Sequence, residues 1–134
     1  MNREYRLYVE FELRRYEQTK ANYESLKHDI IHESPVHDGQ PKSPGGVSRP
    51  TERKALRLTS NVRLRQMEHT LKSIDTVLMS LPEDRYKMVQ MRYWDRPRTL
   101  TDDGIALRLN IDKRTLYRWI DGLLQGIAKE MGLK

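Results

Sequence analysis

The stretch DDGIALRLNIDKRTLYRWID, Asp102 to Asp121, decides how this chain reads. Ile105 and Leu109 lie four apart on one helical face, and Leu116, Trp119 and Ile120 repeat at three-and-four spacing on another. Between them stand Asn110, which tolerates the left-handed conformation that ends a helix, and Asp112, a strong N-cap for the next. The pattern predicts helix, tight turn, helix. Ala106, four residues before the turn residue, falls where the two helices would cross and a large side chain would not fit.

This order resembles the helix-turn-helix of DNA-binding proteins. That motif wants an apolar, a small, an apolar, a turn and an apolar residue, then two more apolar places on the second helix. Here they are Ile105, Ala106, Leu109, Asn110, Ile111, Leu116 and Trp119, with Asn110 where glycine is commoner. A plain helical hairpin, its apolar face serving only as core, is the bland alternative. The second helix, expected over about 113–131, presents Lys113, Arg114, Thr115, Tyr117 and Arg118 away from the apolar stripe. A recognition helix offers its N-terminal residues to the major groove, where Arg reads guanine bidentately and Lys and Arg neutralise phosphates. Basic side chains on a helix are usually just a solvated face. Here they occupy the one face that a helix-turn-helix leaves open, which favours DNA contact.

The chain has 134 residues, no cysteine, and 25 Lys and Arg against 19 Asp and Glu, a net charge of +6. No disulfide or thiolate metal site can staple it. The positive excess is compatible with nucleic acid and lies toward the C-terminal part. Charged residues make up 33% and hydrophobic ones 37%, a balance that suits long amphipathic helices better than a thick core. Period-two alternation is missing, so the fold class expected is all-α. Met1-Asn2-Arg3-Glu4 opens without an apolar run, and no segment is long and apolar enough for a bilayer. A cytoplasmic protein is expected.

Residues 3–32 contain no Pro or Gly, and Val9, Tyr16, Tyr23 and Ile30 recur every seven residues. They predict one long helix whose tyrosine stripe is a packing face, or less simply a base-stacking platform. Glu12 and Thr19 interrupt the seam a strict coiled coil would need. His28 and His32, four apart, have the spacing of metal ligands, but two exposed histidines near a helix C-terminus are the simpler reading and no metal is expected. Pro35, Pro41, Pro44 and Pro50, with Gly39, Gly45 and Gly46, make residues 33–50 a linker, with Lys42 and Arg49 available to a partner. A second long helix is expected over 51–81. Its seam of Leu64, Met67, Leu71, Ile74, Leu78 and Leu81 serves an antiparallel hairpin with the first helix, or a homodimer. Arg53, Lys54, Arg57, Arg63 and Arg65 make its start basic, for phosphates or simply for solvent.

Domains are thus expected at 1–81, the helical hairpin, and 82–134, the helix-turn-helix domain. Pro82, Glu83 and Asp84 open a short helix, Arg96-Pro97-Arg98 breaks it, and Thr101 is placed to cap the next. Arg96, Arg98 and Thr101 sit where such a motif commonly meets the DNA backbone. Beyond Trp119 the apolar stripe continues through Leu123, Leu124, Ile127 and Met131, while Gly122 and Gly126 each cost the helix about 1 kcal/mol relative to Ala.

The segment from Leu81 to Ile127 resembles region 4 of bacterial sigma factors, through Leu81-Pro82-Glu83, Met91-Arg92-Tyr93, Thr99-Leu100-Thr101, Ile105-Ala106 and the turn that follows. The whole chain is similar to the RinA-type family of phage transcriptional activators. It shares their Tyr-rich first helix, the linker with Gly45-Gly46, a second amphipathic helix and the Tyr93-Trp94-Asp95-Arg96-Pro97 lead-in. That resemblance implies a phage-encoded activator of late packaging and morphogenesis genes. It would bind double-stranded DNA and work with host RNA polymerase in the bacterial cytoplasm, at the nucleoid. A small terminase subunit, assembled as a ring, and a helical adaptor that never binds DNA are the competing readings. No paired carboxylates, phosphate loop or activated nucleophile points to an enzyme, and no cofactor is expected.

Overall fold

The computed structural model describes residues 1–33 and 50–133, with the side chains of 1–31 and 61–133. Every regular element among them is helical, as expected. In chain order they are α1 (Arg3–Arg14), α2 (Tyr16–Glu33), α3 (Pro50–Met79), α4 (Glu83–Val89), α5 (Asp102–Leu109) and α6 (Lys113–Met131), with α4 running on into a wider π-helical turn, Gln90–Trp94. The linker expected over 33–50, with Lys42 and Arg49, lies outside the described residues apart from its ends. So do the side chains of His32, Arg53, Lys54 and Arg57.

The single helix expected over 3–32 is two helices. It is interrupted at Arg15, whose ψ of 3° leaves the helical range. Immediately after the break, Tyr16 is buried, stacks on Trp94 with ring centroids 5.4 Å apart, and donates its hydroxyl to Asp75 near the end of α3. Burial, and then that carboxylate, raise the Tyr16 pKa above its ordinary value.

The chain forms two compact units, one of Met1–Glu17 with Thr70–Lys134 and the other of Gln18–His69. This division differs from the expected boundary at 81/82. Residues 1–17 group with the C-terminal helices because α1 packs on α6, burying Val9 and Leu13 completely. The core of this first unit is completed by Ile74, Met88, Val89, Ile105, Leu116, Ile120, Leu124 and Ile127, all essentially inaccessible. Each such side chain contributes about 1.5–3 kcal/mol by leaving water. In the second unit, Thr19 is buried, Leu64 and Met67 are half-buried, and Lys27 lies over the Tyr23 ring at 5.8 Å.

Local chemistry sets the ends of α5 and α6. Thr101 caps α5 by accepting the Gly104 N–H at 3.2 Å, with Asp102 and Asp103 in the first turn. The helix stops at Asn110 (φ 58°, ψ 44°), with Asn110 N–H bonded to Leu107 O at 3.1 Å and Ile111 N–H to Ala106 O at 3.0 Å. That pair of bonds satisfies carbonyls the helix would otherwise leave open. Asp112 then accepts the Thr115 N–H at 2.8 Å and starts α6, so three residues, Asn110 to Asp112, separate the helices. Ala106 is buried where α5 packs on α6; a leucine there would force the helices apart.

Candidate nucleic-acid interface

The two faces of α6 differ sharply. Leu116, Ile120, Leu123, Leu124, Ile127 and Ala128 are buried, while Lys113, Arg114, Tyr117, Arg118, Gly122 and Gln125 are exposed. The exposed residues, joined by Asp121, line an open groove of about 740 Å³. Lys113, Arg114, Tyr117 and Arg118, expected from the sequence as contact residues, are brought together here. Asp121, Gly122 and Gln125 were not singled out for contact, although Gln125 follows Arg118 by seven residues and shares its face by helical periodicity.

The cations are not equivalent. Lys113 pairs with Asp103 of α5 at 3.2 Å and sits over the Tyr117 ring at 5.7 Å. Asp103, and then Tyr117, hold its pKa above the ordinary lysine value. The side chains of Arg114 and Arg118, four apart, make no hydrogen bond or ion pair with the described residues. They exert a longer-range pull on Asp112, whose carboxyl is held below its usual range chiefly by its bond to Thr115. Two guanidinium forks on one face can each donate two parallel hydrogen bonds to a phosphate or to a pair of acceptors on a base edge. Thr115 is half-buried, and its N–H is committed to the cap.

The other three expected contact residues are held by the protein itself. Arg96 donates to Arg14 O at 3.3 Å, closing the C-terminal end of α1. Arg98 donates through Nε to Leu100 O at 2.9 Å and through Nη2 to Asp102 at 2.7 Å. The Thr101 hydroxyl serves the α5 cap. The structure therefore does not bring them to the α6 groove as free donors.

Behind this face runs a polar network that sequence reasoning missed. Glu10, only 8% exposed, accepts the Tyr93 hydroxyl at 2.9 Å, and the guanidinium groups of Arg6, Arg14 and Arg92 lie 3.9–4.0 Å from its oxygens. Arg92 also pairs with Asp102, which Arg98 shares. Burial disfavours the Asp102 anion, but Arg92 and then Arg98 outweigh it and hold the carboxyl below its usual range. Burial is the first cause that pushes the Tyr93 phenol up to about 12, so it remains a donor at neutral pH. Trp94, the next residue, donates Nε1–H to Leu13 O at 3.0 Å. Neighbours on a regular helix point about 100° apart; here both reach α1 from the wider turn closed by Asp95 N–H to Gln90 O at 2.8 Å. Nothing local in the sequence marks Glu10, and only the fold brings Tyr93 to it.

Among the described residues, no three His, Cys, Asp or Glu side chains are grouped to hold a metal ion, and no helix is long and apolar enough to cross a membrane.

An all-helical protein with a capped two-helix turn and a cationic exposed helix face is what fold and site define. Residues 13–129 match the family described as protein of unknown function (DUF722), and the chain belongs to that family. An uncharacterized protein of Methanothermobacter marburgensis is 35% identical over 86 residues, covering 61% of this chain and 11% of that protein. The chain thus corresponds to a small part of that relative's length. No solved structure matches the chain.

Proposed function

We propose that the protein is a sequence-specific DNA-binding transcriptional activator, in which α5, the Asn110 turn and α6 act as a helix-turn-helix. The observation that carries this reading is the exposed face of α6, where Arg114 and Arg118 stand uncommitted beside Lys113 and Tyr117 around an open groove. In this reading α6 enters the major groove. Arg114 and Arg118 face base edges or phosphates, and Lys113 exchanges Asp103 for a phosphate. The upstream long helices form an antiparallel hairpin, offered to host RNA polymerase or to a second copy. The similarity to RinA-type activators supports late phage packaging and morphogenesis genes as targets, and hence work at the nucleoid.

A helical adaptor that binds protein and not DNA is the second reading. Leu7 and Phe11, four apart on α1 and both more than half exposed, favour it.

Selection from a pool of random 40-base-pair duplexes, about four helical turns each, separates the two. An activator of this kind enriches one sequence family over successive rounds. An unenriched pool rejects specific DNA recognition and leaves the adaptor.

A further inference from the structure

Asp121 is an odd residue for the face just described. It lines the α6 groove with Lys113, Arg114 and Arg118 and would repel the phosphates that those cations attract. Its charge is answered from the other end of the sequence. Arg6 of α1 donates through Nη1 to Asp121 Oδ1 at 2.5 Å, and this contact is the main cause that raises the arginine's pKa. The Asp121 side chain is 50% exposed and that of Arg6 36%, so the pair lies at the surface. An ion pair of this exposure adds little to folding. Arg6 is also 4.0 Å from Glu10, but Tyr93, Arg14 and Arg92 already serve that carboxylate. The place where the Arg6 charge matters is the groove.

We infer, resting on the DNA-binding reading, that Arg6 belongs to the nucleic-acid interface as a positioning residue that cancels the Asp121 charge. The N-terminal helix is then an electrostatic part of the binding site and not merely its scaffold. With the pair intact, the groove presents three cations to a duplex. With Arg6 gone, one of them is offset by a bare carboxylate.

The test is a charge-rescue cycle on the full chain: wild type, Arg6→Ala, Asp121→Asn and the double variant. Each is titrated at one fixed salt concentration against a labelled duplex enriched by the wild type from random sequence. Circular dichroism and thermal melting run in parallel. Arg6→Ala is expected to bind about tenfold more weakly, the size of one partly screened like-charge repulsion. Asp121→Asn is expected to bind at least as tightly as wild type, and the double variant to return to within about twofold of it. Unchanged binding by Arg6→Ala overturns the inference. So does a double variant as weak as Arg6→Ala, which would make Arg6 a direct contact. If Arg6→Ala loses its helical signal, Asp121→Asn decides: equal or tighter binding supports the inference and weaker binding overturns it. A wild type that enriches and binds no duplex rejects the DNA reading, and this inference falls with it.

Discussion

The Tyr93 hydroxyl donates to the buried carboxylate of Glu10 at 2.9 Å, joining residues 83 apart in sequence. A carboxylate this deep depends on the hydrogen bond that reaches it, because an unsatisfied buried polar group costs the full loss of its hydration. Tyr93→Phe removes one donor and no volume. It is expected to lower unfolding free energy by about 1–3 kcal/mol, measured by urea denaturation at neutral pH. The phenol's pKa is raised to about 12 in the fold, against about 10 unfolded. The folded state therefore holds the proton more tightly, so this stabilisation is complete below about pH 10 and is lost as pH rises through about 12. The difference between wild type and Tyr93→Phe should narrow over that alkaline range.

Asp102 behaves in the opposite sense. Arg92 and Arg98 hold its carboxyl below the usual range, despite burial. Its contribution is present above the unfolded value near pH 4 and lost as pH falls through the lower folded value. Asp102→Asn should cost about 1–3 kcal/mol at neutral pH. Acid melts should bring wild type and variant together well below about pH 4.

The two glycines of α6 separate cleanly. A Cβ at Gly122 would meet nothing within 4 Å, so Gly122→Ala should stabilise the protein by about 1 kcal/mol through helix propensity alone. A Cβ at Gly126 would meet the Val77 methyls of α3 at 3.5–3.6 Å. Alanine fits there, but Gly126→Leu should overpack the contact and cost about 1–3 kcal/mol. Denaturation midpoints of Gly122→Ala and Gly126→Leu, each against wild type, give the two signs.

What the sequence discloses and what it hides follow from range. The α5 turn and α6 could be read because each signal acts over a few residues: the Thr101 and Asp112 caps, the left-handed Asn110, and apolar residues at three-and-four spacing. The exposed face of α6 followed from the same spacing. Arg6 on Asp121 and Glu10 on Tyr93, 115 and 83 residues apart, and α1 packed on α6 are contacts that no local pattern encodes. Arg98 and Arg96 show the converse error. A basic residue beside a helix start looks free in sequence, yet Asp102 and the Arg14 carbonyl take those donors once the chain folds. The break at Arg15 was equally hidden, since residues 3–32 contain neither Pro nor Gly to mark it.

In the proposed function, the exposed face of α6 grips DNA. The most direct measurement is the affinity of the wild type and of the triple variant Lys113→Ala, Arg114→Ala, Arg118→Ala for an enriched duplex and its scrambled control, across a range of salt. Each phosphate neutralised adds about −0.9 to the slope of log affinity against log salt. The wild type is expected to prefer the enriched duplex, and the variant to lose both that preference and about 2–3 units of slope. Equal affinity of the variant and the wild type for both duplexes, with the same salt slope, would contradict the proposed function.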